Sequence, residues 1–203
     1  MATHKVFISY HHANDQWAKD ELQSWNEQEN LFIDLSVNSD DVDDTLPTET
    51  IREVIRDNYL RDSTVTIVLI GTKTWGRKHV DWEIYSSMYD GSVNKKSGVL
   101  VVQLPSTDPK HITAAHDIEK KAVYPEYESW TSITDRAEYD RRYPLLSDRL
   151  IDNLLVSEAK VSVTKWETIS AKHGHLTTMI DAAYDDRYSC TYDLSRPLRR
   201  KNA

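Results

Sequence analysis

The chain has 203 residues, of which 39% are hydrophobic and 29% charged, a balance that fits one soluble globular domain with extensions. Its 33 Asp and Glu outnumber 25 Lys and Arg, giving a formal net charge of −8. That excess argues against a surface built to coat nucleic acid, because neutralising phosphates requires clustered basic residues.

The N-terminal sequence MATHKVFISY passes straight into a strand-like run, with no signal-peptide core before it. Residues 5–10, KVFISY, are β-branched and aromatic and give way to the polar stretch HHAND, the pattern of a buried strand ending in a loop. Asp15 is placed to cap the next helix, in which Trp17, Ala18, Leu22 and Trp25 recur at three- and four-residue spacing. LFIDLSV (31–37) predicts a second strand and runs into an acidic loop, NSDDVDD. A second helix is expected from near Thr48, with Ile51, Val54, Ile55 and Tyr59 facing inward. The third strand, TVTIVLI (64–70), is almost continuously apolar, as strands covered on both faces are. A third helix over residues 80–90 and a fourth strand, GVLVVQL (98–104), complete the regular part. VTIVLIG and VLVVQL, the longest apolar runs, fall far short of the ~20 residues that cross a bilayer.

Beyond Pro105 the pattern weakens, and segment 106–142 offers no clear fifth strand. Helices are expected at 144–156 and 175–186, and the chain from Ser189 reads as a loosely held tail ending in a solvated basic cluster, Arg196, Arg199, Arg200 and Lys201. Cys190, the single cysteine, excludes an internal disulfide and a cysteine-based zinc site and favours a reducing, cytoplasmic setting.

Alternating strands and helices predict right-handed βαβ units and a parallel sheet. In the common doubly wound order 2-1-3-4-5, ligands bind beyond the carboxyl ends of the strands at the switch between strands one and three. The loops meeting there are YHHAND and GTKTWGRKHVDWE. Glu83, in the latter, is either a first-turn glutamate complementing the helix dipole or a carboxylate facing positive charge that develops during glycosidic cleavage. Trp75 and Trp82 offer aromatic faces for a base or a cationic ring, or are simply core. His11 and His12 are either a solvated pair or a phosphate-recognising one, and they lack the spacing of a metal site. The loop 39–44, SDDVDD, has enough carboxylates for Mg²⁺, yet it lies off the switch point and such runs are ordinarily solvated. The chain carries no G-x-G-x-x-G, no P-loop and no nucleophile elbow.

FISY after a short lead, alternating strands and helices, and VDWEI after the third strand together resemble the TIR-like family. More closely, the chain resembles the ThsB component of the Thoeris antiphage system, over residues 4–130, with 131–203 as a helical C-terminal extension. The resemblance implies a flavodoxin-like α/β fold of about five parallel strands flanked by helices. It implies cleavage of the nicotinamide–ribose bond of NAD⁺, here a substrate and not a cofactor, with a cyclic ADP-ribose isomer as the signal to a separate NAD-consuming effector. A phage-derived trigger and assembly of copies are further expectations, with neither nucleic acid nor membrane as a partner. Glu83 stands at the position of the family's catalytic glutamate, and Ser9, Tyr10, His11 and His12 match the loop that helps hold the dinucleotide. His11 and His12 stand where some relatives have an arginine pair, and His79 stands where relatives often have a tryptophan, leaving Trp75 as a substitute stacking surface beside Trp82. Three other readings compete: a non-catalytic adapter working by homotypic assembly, a nucleoside deoxyribosyltransferase relative, and a phosphoacceptor receiver. The last is disfavoured because Gly71, not an aspartate, ends strand three.

Overall fold

The computed structural model describes residues 4–36, 45–92 and 94–203. A five-stranded, all-parallel sheet in the order β2-β1-β3-β4-β5 forms its centre. The strands are β1 (Lys5–Ser9), β2 (Ile33–Asp34), β3 (Val65–Ile70), β4 (Gly98–Gln103) and β5 (Ser162–Lys165). Eight α-helices belong to the described residues: α1 (His12–Glu29), α2 (Thr48–Val54), α3 (Lys78–Met88), α4 (Asp117–Ala122), α5 (Arg136–Arg142), α6 (Asp148–Leu154), α7 (Trp166–Ala171) and α8 (His173–Asp186). The expected order and switch point are present.

Strand periodicity divides the core into two layers. Val65, Ile67 and Leu69 of β3 pack with α1, α7 and α8 through Leu22, Trp166 and Met179. Val68 and Ile70 point the other way, onto Val80, Ile84 and Met88 of α3 and onto Leu150 of α6. A third cluster joins Phe7, Ile51, Ile55 and Trp82 to Leu198 near the C-terminus.

Several expectations are corrected. β2 is two residues long instead of seven; Ile33 is exposed at this edge, and beyond it Ser36 supplies its hydroxyl, not its backbone, to Ile8 N. Asp15 does not cap α1, whose N-cap is His11; its carboxylate is buried inside the first turn. Trp17 leaves the apolar stripe, 43% exposed, with its ring edge against Trp166. The chain after Ser189 is firmly held. Leu198 is buried, Trp82 Nε1 donates to Arg199 O at 2.7 Å, and Arg200 donates to Leu46 O and Thr48 Oγ1. Arg196 pairs with Asp152 and Asp148, so two of the four side chains of the basic cluster, Arg196 and Arg200, are tied down. The acidic loop considered for Mg²⁺ lies outside the described residues.

The fifth strand lies at Ser162–Lys165, so the segment after residue 130 completes the sheet as well as adding helices. Its buried polar side chains are satisfied individually. Ser162 Oγ donates to Glu119 at 2.5 Å and accepts from Ala115 N, while Thr164 Oγ1 and Tyr124 OH share a hydrogen bond of 2.6 Å. Burial drives the Glu119 carboxyl up to about 7, against the lowering effect of the Ser162 hydroxyl and nearby backbone N–H groups. An acid whose folded pKa lies above its unfolded value of about 4.5 binds its proton more tightly when folded. The stability it contributes is therefore fully present below pH 4.5 and lost as pH rises through about 7. Glu119→Gln should remove this loss. Relative to wild type, the variant should gain on the order of 2–3 kcal/mol between pH 4.5 and 8 in urea denaturation, and a constant difference across that range would contradict the assignment.

Candidate functional site

Helix geometry separates two neighbours on α3. Successive helical side chains point about 100° apart, so Trp82 and Glu83 cannot share an environment. Trp82 is fully buried against Phe7, Ile51 and Ile55. Glu83 turns instead to the carboxyl end of β1, where Ser9 Oγ donates to its Oε2 at 2.5 Å. Both groups are buried, Ser9 at 0% and Glu83 at 4% exposure. Ser9 pairs in register with Val68 of β3, which puts this hydrogen bond at the seam between strands one and three.

A second buried carboxylate sits at the same seam. Asp15, 3% exposed, accepts from Thr74 Oγ1 at 3.0 Å, and Thr74 Oγ1 accepts from Gly71 N at 2.9 Å. Burial raises the Asp15 carboxyl above its ordinary pKa, and the Thr74 hydroxyl partly opposes this. A Cβ on Gly71 would come within 2.2 Å of Asp15 Oδ1. The residue directly after β3 is thus glycine because a carboxylate from α1 occupies the space a side chain would need. Sequence reasoning missed this cluster; the signal available was a glycine placed directly after the strand at the switch point.

The remaining predicted residues distribute unevenly. Tyr10 is buried, donates to Gln16 Oε1 at 2.7 Å and has its ring 4.3 Å from that of His12. His11 and His12 are half-buried at the start of α1, and the His11 carbonyl accepts from Asn14 N and Asp15 N. Trp75 lies on a short 3₁₀ turn, Thr74–Gly76, and is 39% exposed. His79, in the first turn of α3, places its ring edge-on to Trp82 at 5.0 Å. Trp82 itself is a packing residue: its ring has no exposed face to stack on a ligand. Lys73 is exposed and Arg77 half-exposed on the β3–α3 connection, adding cations to this rim that the sequence reading did not single out.

The orientation of α3 is fixed from behind. Arg149 of α6 is fully buried; its Nε and Nη2 donate to the two oxygens of Asp81 at 2.8 and 3.1 Å, and its Nη groups donate to the carbonyls of Arg196 and Pro197. Asp81 also accepts from Arg199 N at 2.9 Å. The last residues run along the start of α3, where Asn202 Oδ1 accepts from Lys78 N and Ala203 N donates to Gly76 O.

A family model described as "Thoeris protein ThsB, TIR-like domain" matches residues 7–109, just over half of the chain, from within β1 to beyond β4 and including both Ser9 and Glu83. No curated protein matches the chain.

The Gly71–Asp15 contact is testable alone. Gly71→Ala should destabilise by about 1–3 kcal/mol, as overpacking does. In combination with Asp15→Ala the total cost should fall clearly below the sum of the two single changes. Strict additivity in urea denaturation would mean that something other than Asp15 excludes the methyl group.

Proposed function

This chain belongs to the TIR-like domain family of the Thoeris protein ThsB, and from that premise we propose that it cleaves NAD⁺ at the seam marked by Ser9 and Glu83. The observation that carries the proposal is the buried hydrogen bond between these two residues, at the point where a doubly wound sheet receives ligands.

In the proposed reaction the bond between nicotinamide and ribose C1′ breaks, and nicotinamide leaves as a neutral molecule with the bonding electron pair. The ribosyl centre becomes an oxocarbenium-like cation. A carboxylate already desolvated and oriented stabilises that charge more effectively than one that must reorganise. Glu83 supplies this group, and Ser9 holds its Oε2 in one orientation, acting as a positioning residue. Capture of the cation by an adenosine atom, with loss of a proton, closes a cyclic ADP-ribose isomer; capture by water gives ADP-ribose. Glu83 lies at the inner end of the seam with little access to solvent, which favours the internal nucleophile. Trp75, with its exposed ring, is the stacking surface in this reading, and His11, His12, Lys73 and Arg77 are candidates for the pyrophosphate. The cyclic product would be the diffusible signal to a separate NAD-consuming effector, produced after a phage-derived trigger acts in the cytoplasm.

Glu83→Gln, nearly isosteric and uncharged, should lower NAD⁺ turnover by at least about 100-fold while leaving the unfolding transition in place. Ser9→Ala should reduce turnover without abolishing it. The readout is mass spectrometry of nicotinamide and ADP-ribose species, from purified protein and from cells with and without phage challenge. Unchanged product in Glu83→Gln would overturn the enzymatic reading in favour of an adapter acting by assembly.

A further inference from the structure

A cavity of about 600 Å³ lies away from the seam, beside the β5 edge of the sheet. It is framed by the chain before β5, by residues 127–134, by α5 and by the end of α6. None of its lining residues comes from β1, α1, β3 or α3, so it is separate from the Glu83 site and independent of the NAD⁺ reading. Its volume falls within the range of small-molecule sites, roughly 300–1,000 Å³.

The lining is unusual in its charge. Lys110, Lys120, Arg142 and Lys160 all contribute, and no Asp or Glu does, in a chain with 33 acids against 25 Lys and Arg. Each of these cations has a carboxylate nearby: Asp108 at 2.6 Å from Lys110, Asp117 at 3.3 Å from Lys120, Glu138 at 2.6 Å from Arg142 and Asp186 at 2.8 Å from Lys160. Those carboxylates do not line the cavity. The Lys110 pair faces solvent, and such a pair binds weakly enough for the cation to be redirected to a stronger anion, whereas the Arg142–Glu138 and Lys160–Asp186 pairs are half-buried. His111, also in the lining, is held below its ordinary pKa first by burial and then by Arg142, Arg141 and Lys165, with Glu138 opposing. At His111 the nearby cations thus outweigh the one opposing carboxylate.

The second feature is aromatic. Tyr127 and Trp130 both line the cavity, with rings 5.4 Å apart, and Trp130 also meets Tyr124 edge-on at 5.7 Å. Tyr127 is 48% exposed, a large ring left partly uncovered at the mouth of a concave, cationic surface. Serine and threonine hydroxyls, Ser129 and Ser132 among them, occupy the same wall. A planar π-surface beside convergent cations and hydroxyls complements a ligand with a flat ring at one end and a phosphate at the other.

We propose that this cavity is a second binding site, for a phosphorylated, ring-bearing anion of mononucleotide size. Trp130 and Tyr127 take the ring; Lys110 and Arg142 take the phosphate. The probe is AMP, titrated calorimetrically into the full-length protein, with adenosine and inorganic phosphate as its two halves. AMP should bind saturably and about tenfold or more tighter than either half. Lys110→Glu, a change at an exposed side chain that leaves the core intact, and Trp130→Ala should each weaken AMP by about tenfold, while Glu83→Gln leaves it unchanged. Absence of saturable AMP binding would overturn the proposal. So would binding that survives Lys110→Glu and Trp130→Ala but disappears in Glu83→Gln or Ser9→Ala, because the nucleotide would then sit at the seam.

Discussion

The buried pair between Arg149 and Asp81 is the constraint on which the geometry of α3 depends. A guanidinium with no solvent exposure is tolerable only when its donors are answered. Here they meet both Asp81 oxygens and two carbonyls of the C-terminal segment, with the Tyr85 ring 4.9 Å away. One side chain thus joins α3, α6 and the chain terminus. Asp81 and Glu83 are two residues apart, so they project about 200° apart around the helix. Locking Asp81 toward α6 fixes the rotation of α3 and leaves Glu83 directed at β1. The carboxylate of the candidate site is aimed by an ion pair on the opposite face of its own helix.

The same logic explains why a glutamate can sit beside an indole. Phe7 and Ser9 are two residues apart on β1 and so face the same side of the sheet. Phe7 packs with Trp82 and Ser9 donates to Glu83. The period of the strand offers an apolar partner and then a polar one along one line. The helix rotation presents an indole and then a carboxylate to match. Neither residue is misplaced, because the adjacency in sequence is not an adjacency in environment.

What could be read from the chain alone follows from what each signal measures. Apolar continuity located β1, β3 and β4, the alternation with helices indicated a parallel sheet, and the common order of small doubly wound sheets supplied the strand order. β5 escaped because Ser162 and Thr164 are polar and yet buried, made compatible with the core by Glu119, Tyr124 and Ala115, which are distant in sequence. Periodicity cannot register a buried strand whose polarity is satisfied through tertiary contacts. The C-terminal arginines were misjudged for a related reason: a charge run reads as solvated unless its partners are known, and Asp148 and Asp152 lie more than forty residues away. Asp15 was placed to cap a helix, and the approach of Gly71 together with the Thr74 hydroxyl explains where its carboxylate went. The position of Glu83 at the seam was legible because sheet order and the helix start after β3 both placed it there. Trp82 was ambiguous because an aromatic residue next to a functional one carries no information about which way its ring faces.

Two carboxylates at one seam, Asp15 and Glu83, are each almost completely buried. Removing such groups from water is unfavourable, and apolar side chains of similar size would stabilise the fold at least as well. Their neighbours explain how they are tolerated, with Thr74 donating to one and Ser9 to the other, but hydrogen bonding only limits the cost. Packing therefore gives no reason for this arrangement, and structural conflict of this kind is expected where a site is maintained at the expense of stability. The seam's own charge also restricts what can enter. A pyrophosphate approaching two buried acids needs cations at the rim, and the β3–α3 connection provides Lys73 and Arg77 beside the half-buried histidines of α1. A ligand with a positive centre to set against the carboxylates and negative groups to meet the rim satisfies both requirements at once, and the substrate proposed above, a pyridinium dinucleotide, has that distribution of charge.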